Sequence, residues 1–213
     1  MRRAQALERE FVLWEDTIPD HLRVSTVAWV DSVPGGDLMR ADVCPGKVDM
    51  YPDMFVATMW NSARISRIFL AVIIIRCAAW VCFPVDYRTT PEYAQYSRVG
   101  QDMITNIIAS IPFHLGCTFE DGTIKTRDDA GLIGGFFCIW PLICASCSDF
   151  TTDAQRLWIK GRFKFISETM GMNQAKVVGS VSHPLYPVHS FISRIKRNRV
   201  KLIRNSCNCA SHP

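Results

Sequence analysis

The segment that decides the fold class spans residues 51–84 and reads YPDMFVATMWNSARISRIFLAVIIIRCAAWVCFP. Pro52 and Asp53 form a helix start signal, because proline fits the first turn and a carboxylate there faces the positive end of the helix dipole. Apolar residues then recur at helical spacing until Pro84, which predicts one helix of about 31 residues and roughly 45 Å. The β-branched run 72–75 would suit a strand, but no turn residues precede it.

The rest of the chain contains further segments with helical periodicity. They cover residues 3–15 (with Leu7, Phe11 and Trp14 on one face), 93–111 (closed by Pro112), 136–147, 154–170 and 173–178. Residues 25–49 and 118–130 are rich in turn-forming and polar residues and are predicted to be loops. No hairpin-forming strand pair is evident, so the sequence predicts an all-α fold, an irregular bundle of about four to six helices with a disordered basic tail.

The charge of the chain is concentrated near its C-terminus. The formal charge is +4, but residues 194–204 hold six basic and no acidic side chains, and the remaining 18 basic and 20 acidic residues give −2. Such a cluster is typical of a solvated tail, a nuclear-import signal or a phosphate-binding arm. The residues of the candidate import signal are Arg194, Lys196, Arg197, Arg199, Lys201 and Arg204.

Cysteine usage indicates an intracellular compartment. The nine cysteines are odd in number, and five of them lie in apolar runs, where a free thiol behaves as a small hydrophobic group. No signal peptide is recognisable, because charged residues crowd the N-terminus. A reducing environment fits these observations.

Two apolar segments, 68–84 and 132–148, raise the alternative of a small helical membrane protein. A membrane-spanning helix needs about 20 apolar residues. The first segment contains Arg76, and the second contains Gly134, Gly135 and Pro141. Both are therefore interpreted as buried helices, and we expect no membrane association.

The sequence offers no catalytic constellation, and we expect no enzymatic activity and no cofactor. It has no P-loop, no nucleophile elbow and no zinc-protease motif. His114 lies in a structured apolar setting, where a structural role is expected rather than that of a base. Cys144 and Cys147 have ligand spacing, but a structural zinc site needs two further ligands, so core packing is favoured over a metal or redox role.

The long helix carries one stripe of polar and aromatic residues. At about 100° per residue, Arg64 lies about 40° from Trp60 on one side and Arg67 about 20° from it on the other. A guanidinium over an indole stabilises by roughly 0.5–2 kcal/mol. The stripe is interpreted as packing and ion-pair residues, with contact to a ligand as the alternative.

Five blocks in order carry a family resemblance: YPDxxxAxxWNxxRxxR from Tyr51, ASIPFHLG from Ala109, GGxxxxWPLxxAS from Gly134, RxWI from Arg156 and MGMxQA from Met170. Together they resemble the C-terminal part of the fungal-specific transcription factor domain, the regulatory region of fungal Zn2Cys6 transcription factors. The matching signature residues, interpreted as structural, are Trp60, Asn61, Arg64, Arg67, Pro112, Gly116, Trp140, Pro141, Trp158, Gly171 and Gln174.

The resemblance implies a helical regulatory or interaction domain over residues 1–182, followed by the basic tail 183–213. It implies regulation of RNA polymerase II transcription in the nucleus, through protein partners or an unidentified effector, and it allows homo-oligomers. The six-cysteine DNA-binding cluster of the family has no counterpart in this sequence. We therefore expect no zinc cluster and no specific DNA binding by this chain alone. Without the resemblance, a cytoplasmic location would be expected.

Overall fold

The computed structural model describes residues 1–120, 123–126 and 132–180, so the basic tail and its six predicted import residues lie outside the described part. The described residues form six α-helices and two short antiparallel strand pairs. The predicted, mostly helical fold is confirmed. The helices are α1 (Arg2–Thr17), α2 (Met54–Val81), α3 (Pro91–His114), α4 (Leu132–Ser146), α5 (Asp153–Glu168) and α6 (Asn173–Ser180).

Helix α2 begins two residues after Pro52, which the sequence indicated as its first residue. Asp53 is the N-cap, and its carboxylate accepts a hydrogen bond of 2.8 Å from the backbone N–H of Val56, so Pro52 lies outside the helix. This bond satisfies one of the backbone donors that a helix start leaves unpaired. Helices α2 and α3 pack side by side, and α4 and α5 complete the main core. Its most deeply buried aliphatic side chains are Ile74, Ile75, Ile104, Ile107, Ile111, Leu142, Ile159 and Ile166.

Pro112 does not end helix α3, contrary to the sequence prediction. The helix begins at Pro91, after the N-cap Thr90, and continues through Pro112 to His114. Pro112 cannot donate a backbone hydrogen bond, but it lies in the last turn, and α3 ends two residues later at His114. Gly116 follows with a positive φ of 85° and reverses the chain toward the next strand.

Two segments predicted to be loops contain strands. Strand β1 (Ser25–Val30) pairs with β2 (Gly46–Met50), and β3 (Cys117–Glu120) pairs with β4 (Thr123–Thr126). The prediction of loops over 25–49 and 118–130 was therefore wrong in these parts. Strand β2 packs against α3, which stabilises a pairing that the sequence pattern alone does not reveal.

Helix α4 begins four residues before its predicted start and includes the pair Gly134–Gly135. A Cβ atom built on Gly134 would lie 1.8 Å from the backbone oxygen of His114. This close approach of α4 to the end of α3 therefore requires glycine, which explains its place inside a helix despite its poor helix propensity. Pro141 also lies inside α4.

Helix α5 begins with a complete set of capping bonds. The Thr152 hydroxyl accepts from the backbone N–H of Gln155, and the Gln155 side chain accepts from the backbone N–H of Thr152, which is a complete capping box. Gly171 has a φ of 72°, a left-handed conformation that glycine adopts readily, and the N–H of Met172 bonds the oxygen of Ile166 where the chain turns after α5. Within the described residues, no helix combines the length and the apolarity that crossing a membrane requires.

Candidate functional site

The polar and aromatic stripe of α2 lies in the protein interior. Trp60, Asn61, Arg64 and Arg67 are all buried. Two charged side chains and one amide on a buried helix face need hydrogen-bond or ion-pair partners, because an unpaired buried charge destabilises the folded state far more than a packed apolar group does. The contacts of these side chains therefore define what the stripe does.

Arg64 is the centre of this buried network. One guanidinium nitrogen donates to the Tyr51 hydroxyl at 2.7 Å, to the Asn61 side-chain oxygen at 3.0 Å and to the backbone oxygen of Asn106 at 3.0 Å. A second nitrogen lies 4.0 Å from the carboxylate of Asp49. Arg64 thus joins α2 to α3 and to strand β2.

Asp49 supplies the negative charge of the network and is fully buried. Its carboxylate accepts from the Thr26 hydroxyl at 2.7 Å and from the Lys47 ammonium at 2.9 Å. These contacts connect both strands of the first pair to the buried guanidinium. Asp49 carries no signal in the sequence for this role, because it lies in a segment interpreted as a loop and has no helical spacing to Arg64.

Asn61 links α2 to α3, and its contacts fix the protonation of His114. Because the Asn61 oxygen accepts from Arg64, its amide nitrogen is the group that faces the hydroxyl of Ser110 at 2.9 Å and His114 Nε2 at 3.1 Å. An amide nitrogen only donates, so Nε2 accepts and the imidazole proton lies on Nδ1. Nδ1 in turn lies 3.0 Å from the sulfur of Met54.

His114 is held neutral inside the protein. Burial, and then the positive charge of Arg64, lower the pKa of His114 from 6.5 to about 4. A charged imidazole would lose its acceptor bond from Asn61 and would face a guanidinium. In this arrangement His114 joins the end of α3 to α2, as the structural interpretation of this residue would require.

We expect acid to destabilise the protein through His114. Its folded pKa of about 4 lies below the unfolded value of 6.5, so the unfolded chain binds more protons between these pH values. The stability that His114 contributes is therefore complete above pH 6.5 and is lost as the pH falls to about 4, on the order of 3 kcal/mol.

Urea unfolding at several pH values between 4 and 7 measures this loss. The control is the His114→Gln variant, which keeps a polar side chain but cannot titrate, so its stability should decline less steeply over the same range. Equal slopes for the two proteins would contradict the assignment to His114.

Arg67 binds helix α1 to α2. Its guanidinium contacts the carboxylate of Glu8 at 2.7 Å and that of Glu15 at 2.7 Å, seven residues apart on α1. Glu8 is consequently buried, whereas Leu7, on the face predicted to be apolar, is 42% exposed. The charged residues of an amphipathic helix are normally predicted to face solvent. The inward orientation of Glu8 follows only from its ion pair with Arg67 on helix α2.

Trp60 extends the stripe into a second, smaller hydrophobic core. This core is formed by Ile18, Tyr51, Val56, Ala57 and Trp60. Its indole N–H donates to the backbone oxygen of Leu22 at 2.9 Å, and its ring packs against Trp14 at 5.4 Å between centroids. The guanidinium carbon of Arg64 lies 5.6 Å from the Trp60 ring centre, within the range of a cation–π contact.

The remaining signature residues occupy contrasting positions. Trp158 is fully buried in the main core, Pro112 and Pro141 are buried within α3 and α4, and Gly116 lies at the turn after α3. Trp140, by contrast, is 58% exposed, and Gly171 and Gln174 are also exposed. The structure thus brings Trp60, Asn61, Arg64 and Arg67 into one contiguous buried arrangement, whereas Trp140, Pro141 and Gln174 line a groove at the surface.

Arg162 forms a second buried charged site that the sequence analysis did not single out. Its guanidinium contacts the carboxylate of Asp42 at 2.9 Å and lies 5.8 Å from the ring centre of Trp158. The ion pair joins α5 to the segment before strand β2, where the indole N–H of Trp158 also donates to the oxygen of Ala41 at 3.0 Å. An arginine four residues after a core tryptophan is the local signal that could have indicated it.

The two cysteines with ligand spacing lie on α4 and just beyond its end. The thiols of Cys144 and Cys147 are free and half-buried, and burial raises the pKa of Cys144 to about 12. In the described ranges, no group of three or more histidine, cysteine or acidic side chains is arranged to hold a metal ion.

The sequence of this mostly helical chain is related to that of a fungal transcription factor. It is 28% identical over 178 residues to the transcription factor dbaG of Emericella nidulans, and the match covers 80% of this chain. The chain spans 40% of the length of that relative. No family model matches the sequence, and no solved structure shows significant similarity to the fold.

Proposed function

We propose that this chain is a regulatory and interaction domain of a fungal transcription regulator. The observation that carries the proposal is the 28% identity with transcription factor dbaG over most of the chain. The buried contacts of Arg64 and Arg67 support it, since they use the polar signature residues to join α1, α2, α3 and strand β2 rather than to form an open site. On this proposal the domain acts without catalysis.

The proposed mode of action is contact with other proteins or with an effector in the nucleus. The chain contributes no sequence-specific DNA binding of its own, because the cysteine pattern of the fungal zinc cluster has no counterpart in the sequence. DNA targeting would then come from another part of the regulator or from a partner.

A reporter experiment tests the proposal. The full chain is fused to an unrelated DNA-binding domain, and transcription from a promoter with that domain's operator is measured in a fungal host. We expect the fusion to change transcription severalfold relative to the DNA-binding domain alone. The Arg64→Ala variant is the matched control, because it disrupts the buried network and should abolish the effect.

Two results would contradict the proposal. Transcription equal to that with the DNA-binding domain alone would exclude a regulatory activity of this chain. A change of the reporter by the chain without the fused domain would indicate that the chain binds the operator itself.

A second experiment tests the role of the basic tail with a fluorescent fusion of the chain that is too large to enter the nucleus passively. We propose that the six basic residues of 194–204 direct nuclear import. Their replacement by glutamine should move the fusion from the nucleus to the cytoplasm. An unchanged nuclear signal would assign import to another segment, while the reporter result would still decide the regulatory role.

A further inference from the structure

A groove lies between helices α5 and α6, which pack against each other. It has two adjoining parts with volumes of about 250 and 460 Å³, and Lys160, Phe163 and Gly179 line both of them. Gly179 allows the helices to approach closely, because a Cβ atom built there would lie 3.1 Å from the Cβ of Phe163. The packing of the two helices therefore fixes the walls of the α5–α6 groove.

Basic side chains line the groove from both helices. On α5, Lys160 and Lys164 are four residues apart and therefore lie on the same face of the helix. Lys176 lines the groove from α6, and all three lysines are exposed. A ligand in the groove can therefore be contacted by ammonium groups from two sides.

The groove differs in charge from the rest of the molecule. Of the 24 basic and 20 acidic residues of the chain, seven and three lie outside the described ranges, which leaves 17 of each sign and no net charge. The charged residues that line the groove are Arg156, Lys160, Lys164 and Lys176 against Asp153 and Glu168, a net charge of +2. The groove is therefore a local positive site on a neutral body.

Two of these lysines are available to bind a carboxylate of a ligand. Within the described ranges, Lys164 alone of the three has an acidic partner, Glu168 at 4.0 Å. Exposed pairs of this kind contribute little to stability, so a carboxylate of a ligand can replace Glu168 with little loss. Lys160 and Lys176 can accept such a carboxylate without breaking an ion pair.

The groove also offers apolar surface beside its charges. Leu157 is 43% exposed, and Met39 and Val178 are half-buried. All three line the groove together with Phe163, which is only 3% exposed and forms part of its floor. A ligand that carries both carboxylates and apolar side chains therefore matches the groove better than a purely ionic one.

Nucleic acid matches the groove less well, although its phosphates would also attract the lysines. Single strands bind where bases can stack on exposed aromatic rings, and the ring of Phe163 is almost completely covered. Asp153 and Glu168 would also repel a continuous phosphate backbone. The spaced carboxylates of a peptide can avoid these two acids.

We propose that the α5–α6 groove binds an acidic, amphipathic segment of a partner protein. Its carboxylates contact Lys160 and Lys176, and an apolar side chain packs against Leu157 and Val178. Complementary charge sets the register and the association rate of such a contact, while the apolar anchor supplies affinity. This inference names the chemistry of a protein partner and therefore rests on the interaction role proposed above.

Fluorescence anisotropy of a labelled peptide, titrated with the full chain, tests the proposal. The peptide combines aspartates and glutamates with leucines and a phenylalanine. We expect saturable binding that weakens as salt is added, because exposed charges are screened. A second peptide with asparagine and glutamine in place of the acids should bind at least about 10-fold more weakly. A third peptide with serine in place of the apolar residues should also bind more weakly.

The double variant Lys160→Glu with Lys176→Glu should weaken binding of the acidic peptide at least about 10-fold, because two attractive contacts become repulsive. The matched control is Arg3→Glu with Arg98→Glu, which makes the same change in net charge at two exposed residues outside the groove. It should change the dissociation constant by less than about twofold, since distant charges are screened. Circular dichroism verifies that both double variants keep their helices.

Three results would overturn the proposal: no saturable binding of the acidic peptide, equal affinity for the acidic and the neutral peptide, or equal effects of the two double variants. A single-stranded oligonucleotide that bound as tightly and depended on Lys160 and Lys176 would assign the groove to nucleic acid instead. The reporter experiment separates these failures from a failure of the regulatory role. A fusion that changes transcription while the chain does not bind the peptide would contradict the groove proposal alone.

Discussion

Replacement of Arg64 by alanine should destabilise the protein by about 3–5 kcal/mol, the range measured when one partner of a buried ion pair is removed. The variant leaves Asp49 buried with one charged partner fewer. It also leaves the Tyr51 hydroxyl and the backbone oxygen of Asn106 without the donor that bonds them. Unsatisfied buried polar groups cost about 1–3 kcal/mol each, so the effect exceeds that of losing one ordinary hydrogen bond.

Urea unfolding followed by circular dichroism measures this loss. The control is Arg88→Ala, because Arg88 also forms an ion pair, with Asp86 at 2.7 Å, but on the surface. Exposed pairs contribute about 0–1 kcal/mol, and the control should therefore unfold nearly as the wild type does. Equal urea midpoints for Arg64→Ala and Arg88→Ala would refute the central place of Arg64 in the buried network.

The long helix could be predicted from the sequence because its signals are local. Asp53 precedes an apolar periodicity of nearly eight turns, and a side chain there can cap only the helix that follows it. The same locality placed Trp60, Arg64 and Arg67 on one stripe. Whether such a stripe faces protein or solvent depends on residues elsewhere, which periodicity does not identify.

The strand pairs were missed for a physical reason. Strand β1 pairs with a strand that begins 16 residues after its own end, so no short hairpin turn marks the connection. No residue of β1 is fully buried and half of them are exposed, so its sequence lacks the alternation of a half-buried strand. The strands β3 and β4 have four residues each, too few for a periodic pattern.

The partners of the buried charges could not be predicted for a related reason. Asp49 lies 15 residues before Arg64, and Glu8 lies 59 residues before Arg67. Such pairs follow from the packing of separate elements, and no spacing rule within one helix anticipates them. The resemblance to a family singled out Arg64 and Arg67, but it carried no information about which acids neutralise them.

Three tryptophans among the signature residues show that the burial of an apolar side chain also could not be predicted from the sequence pattern. Trp158 is fully buried, Trp60 is nearly so, and Trp140 is mostly exposed. All three lie on helices among apolar neighbours, so the sequence pattern alone predicts that all three are buried in the core. Their different exposure leads to different expected contributions to folding, and that of Trp158 is the largest.

Replacement of Trp158 by alanine should therefore destabilise the protein by about 3–5 kcal/mol. The indole fills the core between α5 and the segment that contains Ala41, and its N–H bonds the Ala41 oxygen at 3.0 Å. Alanine would leave a cavity, an unpaired carbonyl, and an Arg162 guanidinium that no longer lies over an aromatic ring. Trp158→Phe should lose less, because it retains most of the ring volume but not the hydrogen bond.

The matched control is Trp29→Ala, since Trp29 is the same residue type in an exposed position on β1. Surface substitutions of this kind usually change stability by less than about 0.5 kcal/mol. Chemical unfolding of all variants at one protein concentration gives the comparison, because self-association would make the stability depend on concentration. If Trp158→Ala unfolded at the same urea concentration as Trp29→Ala, Trp158 would not hold α5 to the core. An intermediate value for Trp158→Phe would separate the contribution of the ring from that of its hydrogen bond.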